Sequence, residues 1–321
     1  MSVFLKSAAA ASVLALSGLA QAASWPERAV QWVVPYPAGG GSDVIARVVA
    51  ANMEQPLGQS IVVENKPGAA TIIGATFIQS AKPDGYVVGT ADSGTLAYNP
   101  ALYTKLSYDP AQFTYIGGIA RFPLMLAVNE SSPFKTLRDV IDAAKQKPGE
   151  LTASSAGAGS PHHMALELFK QRAGVDIMHV PYKGAAPAIQ DLVGGQVSMS
   201  FVDSAAGLGN IKAGKLRILA VATPERLGLL PDVPTMAEAG VADFTAYAWQ
   251  GLVGPAELPA DVVSKLSADL QTALKSPEAD EKIRNMGVEP MPMSAEEFKS
   301  YSESQRKEWG EVIQKAGINL D

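Results

Sequence analysis

The chain has 321 residues, 26 Lys and Arg against 32 Asp and Glu for a formal net charge of −6, and no cysteine. That balance excludes a nucleic-acid binder, which needs a broad basic footprint. The missing cysteine excludes disulfides, thiolate metal sites, a cysteine nucleophile and a lipid-modified N-terminal cysteine.

The first element is a leader. Lys6 precedes an apolar stretch from Ala8 to Ala20, and Ala20-Gln21-Ala22 supplies the small-x-small pattern of a cleavage site, so residues 1–22 read as a secretory signal peptide. The stretch is shorter than the roughly 20 apolar residues of a spanning helix. Its removal takes Lys6 and leaves 25 basic against 32 acidic residues. With no lipid anchor the mature chain is expected free in the periplasm of a diderm bacterium, where nucleotide-driven chemistry has no ATP pool.

From Val30 short β-type runs alternate with helical ones, the pattern of an α/β fold with a largely parallel sheet. Strands are expected at 30–34, 60–64, 86–90, 115–119, 124–128, 151–155, 176–180, 197–202, 216–222 and 247–253. Val44, Ile45, Val48, Val49 and Met53 have helical spacing. Thr136 starts a helix running to about Lys147, and Ser160-Pro161 opens one that Gly174 ends. Ser294 and Glu297 form a capping box for a long helix ending near Gly317. About 300 mature residues favour two domains. With crossings at Arg121 to Met125 and Val221 to Pro224, residues 23–123 and 222–321 form one domain and 124–221 the other, with a ligand cleft at the hinge.

Three glycine-rich loops each lead from a strand into a helix: Val34-Pro-Tyr36-Pro-Ala38-Gly39-Gly40-Gly-Ser42-Asp43, Ser154-Ser-Ala156-Gly157-Ala-Gly159-Ser160-Pro-His162, and Val180-Pro-Tyr-Lys183-Gly184-Ala185-Ala-Pro-Ala188. Backbone N–H groups at such helix starts suit an anion. Ser42 or Asp43 would cap the first helix. Either a tight turn or a binding loop fits the first sequence alone, and three together favour binding at the strand ends.

Other chemistry finds little support. Gly209 to Lys215 has the spacing of a P-loop, but Leu216 stands where Ser or Thr should meet magnesium, and the segment precedes a strand. There is no Gly-x-Ser-x-Gly elbow, and the histidines are His162, His163 and His179. His162 and His163 point to different sides of a helix, so one is expected at the cleft or in a local cap and the other in solvent. His179 reads as a satisfied core residue. No metal site, catalytic residue or cofactor is assigned. A periplasmic hydrolase with a Ser160 nucleophile and a His162 base, and a ligand sensor for a signalling receptor, are the alternatives to transport.

In order along the chain stand Trp25-Pro26, Pro37 to Asp43, Val63-Glu-Asn-Lys-Pro-Gly-Ala69, Lys82-Pro-Asp-Gly-Tyr86, Ala156 to Ser160 with His162, Val180 to Gly184 with Pro187, Gly195-Gln-Val197 with Asp203, and Leu230-Pro-Asp-Val-Pro-Thr235. Together they resemble the extracytoplasmic binding proteins of tripartite tricarboxylate transporters, the Bug proteins. The resemblance implies a two-domain periplasmic-binding-protein (Venus flytrap) α/β fold of type II character with two crossovers. It also implies a small carboxylate held largely by backbone groups, and delivery to small and large integral membrane subunits by a monomer. By position it assigns ligand contacts to Tyr36, Ala38, Gly39, Gly40, Ser93, Ala156, Gly157, Gly159, Ser160, His162, Gly184, Ala185 and Asp203. Asp203 is equally a helix cap by sequence. Lys183 is expected on the surface.

Overall fold

The computed structural model describes residues 25–321, so the expected leader lies outside the described residues. Strands and helices alternate through the first part: β1 (Val30–Val34), α1 (Gly41–Leu57), β2 (Ile61–Asn65), α2 (Ile72–Gln79) and β3 (Val87–Asp92). A π-helical turn, Gly94–Tyr98, then runs into the short α3 (Asn99–Leu102). Val30, Trp32 and Val34 enter one apolar cluster while Val33 enters another. Covering on both faces is why β1 reads as a continuous apolar run.

The two strands expected at 115–119 and 124–128 are one, β4 (Thr114–Asn129). The sequence Arg121-Phe122-Pro123 hides this continuity, since proline is rare inside a strand. It is tolerated because β4 changes neighbours there: Pro123 stands opposite Tyr247, whereas Leu124 stands opposite Asp203. A 16-residue strand therefore belongs to both sheets.

After β4 come α4 (Leu137–Gln146), β5 (Thr152–Ser155), α5 (Pro161–Ala173), β6 (Met178–Pro181), α6 (Ala185–Val193), β7 (Met199–Asp203), α7 (Ser204–Lys212) and β8 (Leu216–Val221). The chain ends with β9 (Tyr247–Gly254), α8 (Ala260–Leu274), α9 (Pro277–Asn285), β10 (Glu289–Pro290) and α10 (Ala295–Ala316). The first sheet has the order β2-β1-β3-β9-β4, with β10 also on β4. The second continues from β4 through β7 and β5 to β6, with β8 also on β4. Pairs β1–β2, β1–β3, β5–β6 and β5–β7 are parallel, and every pair made by β4 or β9 is antiparallel. The sheets are thus mixed, and the antiparallel strands are those nearest the crossing.

Three chain segments lie side by side at this waist. Ala222 N–H donates to Leu124 O at 2.8 Å, and Ala246 N–H donates to Ala222 O at 2.9 Å. Beyond Val221 the chain keeps to the second sheet for a while, since Leu227 packs with Met125 and Ala127 and Phe244 stacks on Phe201. Helix α10 begins with the Ser294–Glu297 capping box and ends at Gly317. It covers the π-helical turn through an edge-on contact of Trp309 with Tyr98. The molecule is a two-lobed α/β protein, each lobe built on one sheet, with β4 common to both.

Candidate ligand-binding cleft

The carboxyl end of β1 leads into residues 36–40, of which Ala38, Gly39 and Gly40 are exposed and Tyr36 is half-buried. The Tyr36 hydroxyl donates to the Asp92 carboxylate. Burial first, then the Asp92 charge, holds that phenol well above its ordinary range, so it remains a donor. Asn65 secures the turn from below, its amide donating to Tyr36 O at 2.9 Å.

The cap of α1 differs from the expectation: Gly40, not Ser42 or Asp43, is the N-cap. Asp43 occupies the third helical position and reaches back to accept from Gly39 N–H at 2.8 Å. This satisfies a free backbone donor without a capping side chain. Burial works to raise the Asp43 carboxyl, but Arg47, Gly39 N–H and Asn65 outweigh it and hold it below its ordinary value. Ser42 Oγ is left buried without a partner.

In the second lobe Ser160 is the N-cap of α5, its hydroxyl accepting from His163 N–H at 3.3 Å. Several loop N–H groups have internal partners: Gly157 N–H donates to Ser155 Oγ, Ser160 N–H to Gly157 O and Gly159 N–H to His163 Nδ1, all at 3.1 Å. Gly184 N–H donates to Ala156 O at 3.1 Å, which ties the third loop to the second. Gly184, at φ +115°, caps α6 without a side-chain hydrogen bond. Lys183 is exposed, as expected.

Neither adjacent histidine faces solvent, because α5 packs against β5, β6, β7 and α10. His162 is 8% exposed and His163 5%. His162 Nε2 meets Asp203 Oδ2 at 3.1 Å. Asp203 is also the N-cap of α7, accepting from Ala206 N–H at 2.8 Å, so the cap and the cleft position coincide in one residue. Burial pushes its carboxyl up, yet His162 and Ala206 N–H prevail and hold it below its ordinary value. His163 instead stacks on His179 with ring centroids 3.8 Å apart. Burial, reinforced by His179, pushes His163 down to about 3. Burial and then Lys170 push His179 down to about 4, and its Nε2 lies 2.6 Å from Ser155 Oγ. The Ser160–His162 pair of the hydrolase reading is not assembled: the Ser160 hydroxyl serves the backbone and the His162 ring serves Asp203.

The two lobes meet at these loops. A Cβ placed on Gly41 would lie 3.2 Å from Ala205 Cβ, 3.4 Å from Phe122 Cε1 and 3.9 Å from Asp203 Oδ1, so the starts of α1 and α7 face each other. Asp92 stands opposite Gln250, whose amide approaches Ser42 O at 3.5 Å, which places Ser42 and Ser93 on one rim. Gly159 instead packs toward Leu102 and Leu320. Buried polar atoms without partners recur around the junction: Ser42 Oγ, His162 Nδ1 and Ser204 Oγ. Ser204 was not anticipated, though its place after the Asp203 cap marks it as a helix-start residue. Asp92, which anchors Tyr36, was also missed, and only its position before Ser93 could have flagged it. No cluster of metal-ligating side chains occurs among the described residues.

The family model of the tripartite tricarboxylate transporter family receptor matches residues 45–318. The chain is 31% identical to the protein BugT of Bordetella pertussis over 96% of both chains. An R. palustris protein solved with adipate is 36% identical with a TM-score of 0.87, covering 92% of this chain and 99% of its own. MatC from Rhodopseudomonas palustris, solved with bound malate, is 31% identical with a TM-score of 0.83, covering 90% and 99%. The chain belongs to the receptor family of the tripartite tricarboxylate transporters and is a solute-binding protein.

Proposed function

We propose that this protein captures a small carboxylate between its lobes in the periplasm and delivers it to the membrane subunits of a tripartite transporter. The observation that carries this reading is the set of buried hydrogen-bonding atoms without partners at the junction, Ser42 Oγ, His162 Nδ1 and Ser204 Oγ. An unpaired buried polar group costs about 1–3 kcal/mol, and a polar ligand relieves that cost. Adipate and malate, found in two similar structures, support a carboxylate as the ligand class.

Charge is supplied by the backbone. Helices α1 and α6 begin at glycine caps without capping side chains, which leaves their first N–H groups for an anion, with Asp43 already serving Gly39. Each helix start contributes about 0.3–2 kcal/mol and each hydrogen bond to a charged group about 1.5–3 kcal/mol. A handful of such contacts reaches about −8 kcal/mol, the micromolar range. Of the residues expected at the ligand, Tyr36, Ala38, Gly40, Ser93, Ala156, His162, Ala185 and Asp203 are the ones this reading assigns to direct contact. Gly39, Gly157, Gly159, Ser160 and Gly184 shape the loops, since their N–H groups already have partners within the chain. A thermal-shift screen of mono-, di- and tricarboxylates tests the reading: a ligand at 100 times its Kd raises stability by about 2.7 kcal/mol. A panel without any shift counts against it. Transport is separated from receptor signalling by whether the loaded protein binds membrane subunits of the transporter.

A further inference from the structure

His162 has one ring nitrogen spoken for and one idle. Nε2 faces Asp203 Oδ2 at 3.1 Å. A carboxylate held ionised offers only acceptors, so Nε2 must carry the hydrogen. In the neutral tautomer with its hydrogen on Nε2 the lone pair falls on Nδ1, which is buried and without a partner.

The surrounding residues cannot satisfy it. Beside His162 the gap is lined by Ala156, Ala185, Ala188, Ile189 and Val202, with Ser200 the one hydroxyl. Ser200 Oγ already donates to backbone oxygen, with Ser154 O at 2.9 Å and Phe201 O at 3.0 Å. The gap is too narrow for a water molecule. A ligand hydroxyl therefore reaches Nδ1 only when the wall that α6 supplies through Ala185, Ala188 and Ile189 moves back. Asp203 is the titratable group facing the ring, and it fixes the ring's orientation.

We infer that His162 selects hydroxylated carboxylates, with Nδ1 accepting a hydrogen bond from a ligand hydroxyl while ligand carboxylate oxygens meet the helix starts. The inference rests on the carboxylate reading above and adds the ligand's second functional group. An unsubstituted acid leaves Nδ1 unpaired, and sites built to bond a hydroxyl reject analogues that lack it.

The test uses matched acids, malate against succinate and 3-hydroxybutyrate against butyrate, titrated calorimetrically into the wild type and His162→Gln. Glutamine keeps a donor for Asp203, and its one acceptor, Oε1, sits at the end of the side chain and not at the Nδ1 position; unchanged thermal unfolding of the free variant confirms its fold. The wild type is expected to prefer each hydroxylated acid by about tenfold or more, and His162→Gln to bring the pair within about twofold. Equal wild-type affinity for both members of each pair, or a preference that survives His162→Gln, overturns the inference and leaves carboxylate binding intact. Absence of binding by every acid overturns the reading beneath it.

Discussion

Closure can be obstructed at a single atom. Gly41 is the first residue of α1, and a Cβ there would stand 3.2 Å from Ala205 Cβ and 3.4 Å from Phe122 Cε1. Carbon atoms prefer about 3.5–4.0 Å, so alanine asks the lobes to part by a few tenths of an ångström. Valine adds two methyl groups in the same place. Overpacking of this kind costs about 1–3 kcal/mol, which lowers affinity by roughly 5- to 150-fold if only the closed form holds the ligand. Parting the lobes relieves the Ala205 contact and leaves the milder Phe122 contact, which lies within the first lobe, and glycine is a poor helix former, so the free Gly41→Val protein should unfold close to the wild-type temperature. Isothermal titration with malate and adipate measures the loss, and thermal unfolding of the free proteins controls for the fold. A valine variant that keeps its affinity within about twofold refutes the closure reasoning.

Gly159→Val places a β-branched residue at φ +76° with its Cβ 3.0 Å from Leu102 Cδ1, and should abolish carboxylate binding in a titration, whereas Lys183→Ala should leave it unchanged. Gly251→Ala sets a Cβ 2.3 Å from two ring carbons of Phe298 and 2.6 Å from Gly117 O, so urea unfolding should show a loss of about 1–3 kcal/mol or more. His163 and His179 are held down to about 3 and about 4 in the fold. Their ordinary value is about 6.5, so the unfolded chain binds more protons below that pH. Their contribution is complete above about pH 6.5 and is lost as pH falls toward 4, with a limiting slope of about 1.4 kcal/mol per pH unit for each ring, less for the half-exposed His179. Unfolding midpoints from pH 7 to 4.5 should flatten in His163→Gln.

The alternation of β and α elements and the caps at Thr136, Ser160 and Ser294 were legible because each depends on local chemistry that adjacent residues display. The unity of β4 was not, since the partner exchange that tolerates Pro123 involves Tyr247 and Asp203, remote in sequence. The cap of α1 was misread for a related reason: a Ser-Asp pair looks like a cap, but Asp43 serves from the third position once Arg47 and Asn65 fix its carboxylate. Spacing on α5 separated the directions of His162 and His163 correctly, while the burial of both depends on neighbouring strands that helical periodicity does not reveal. The three loops were visible from composition alone. Which of their N–H groups already have internal partners required the coordinates.

Capture of a carboxylate between the lobes is tested most directly by calorimetric titration of the dialysed mature protein with a panel of small mono-, di- and tricarboxylates. The account predicts saturable binding of at least one member with one site per chain and a dissociation constant near the micromolar range, about −8 kcal/mol. No heat of binding across the panel at millimolar ligand, with the protein folded throughout, contradicts it.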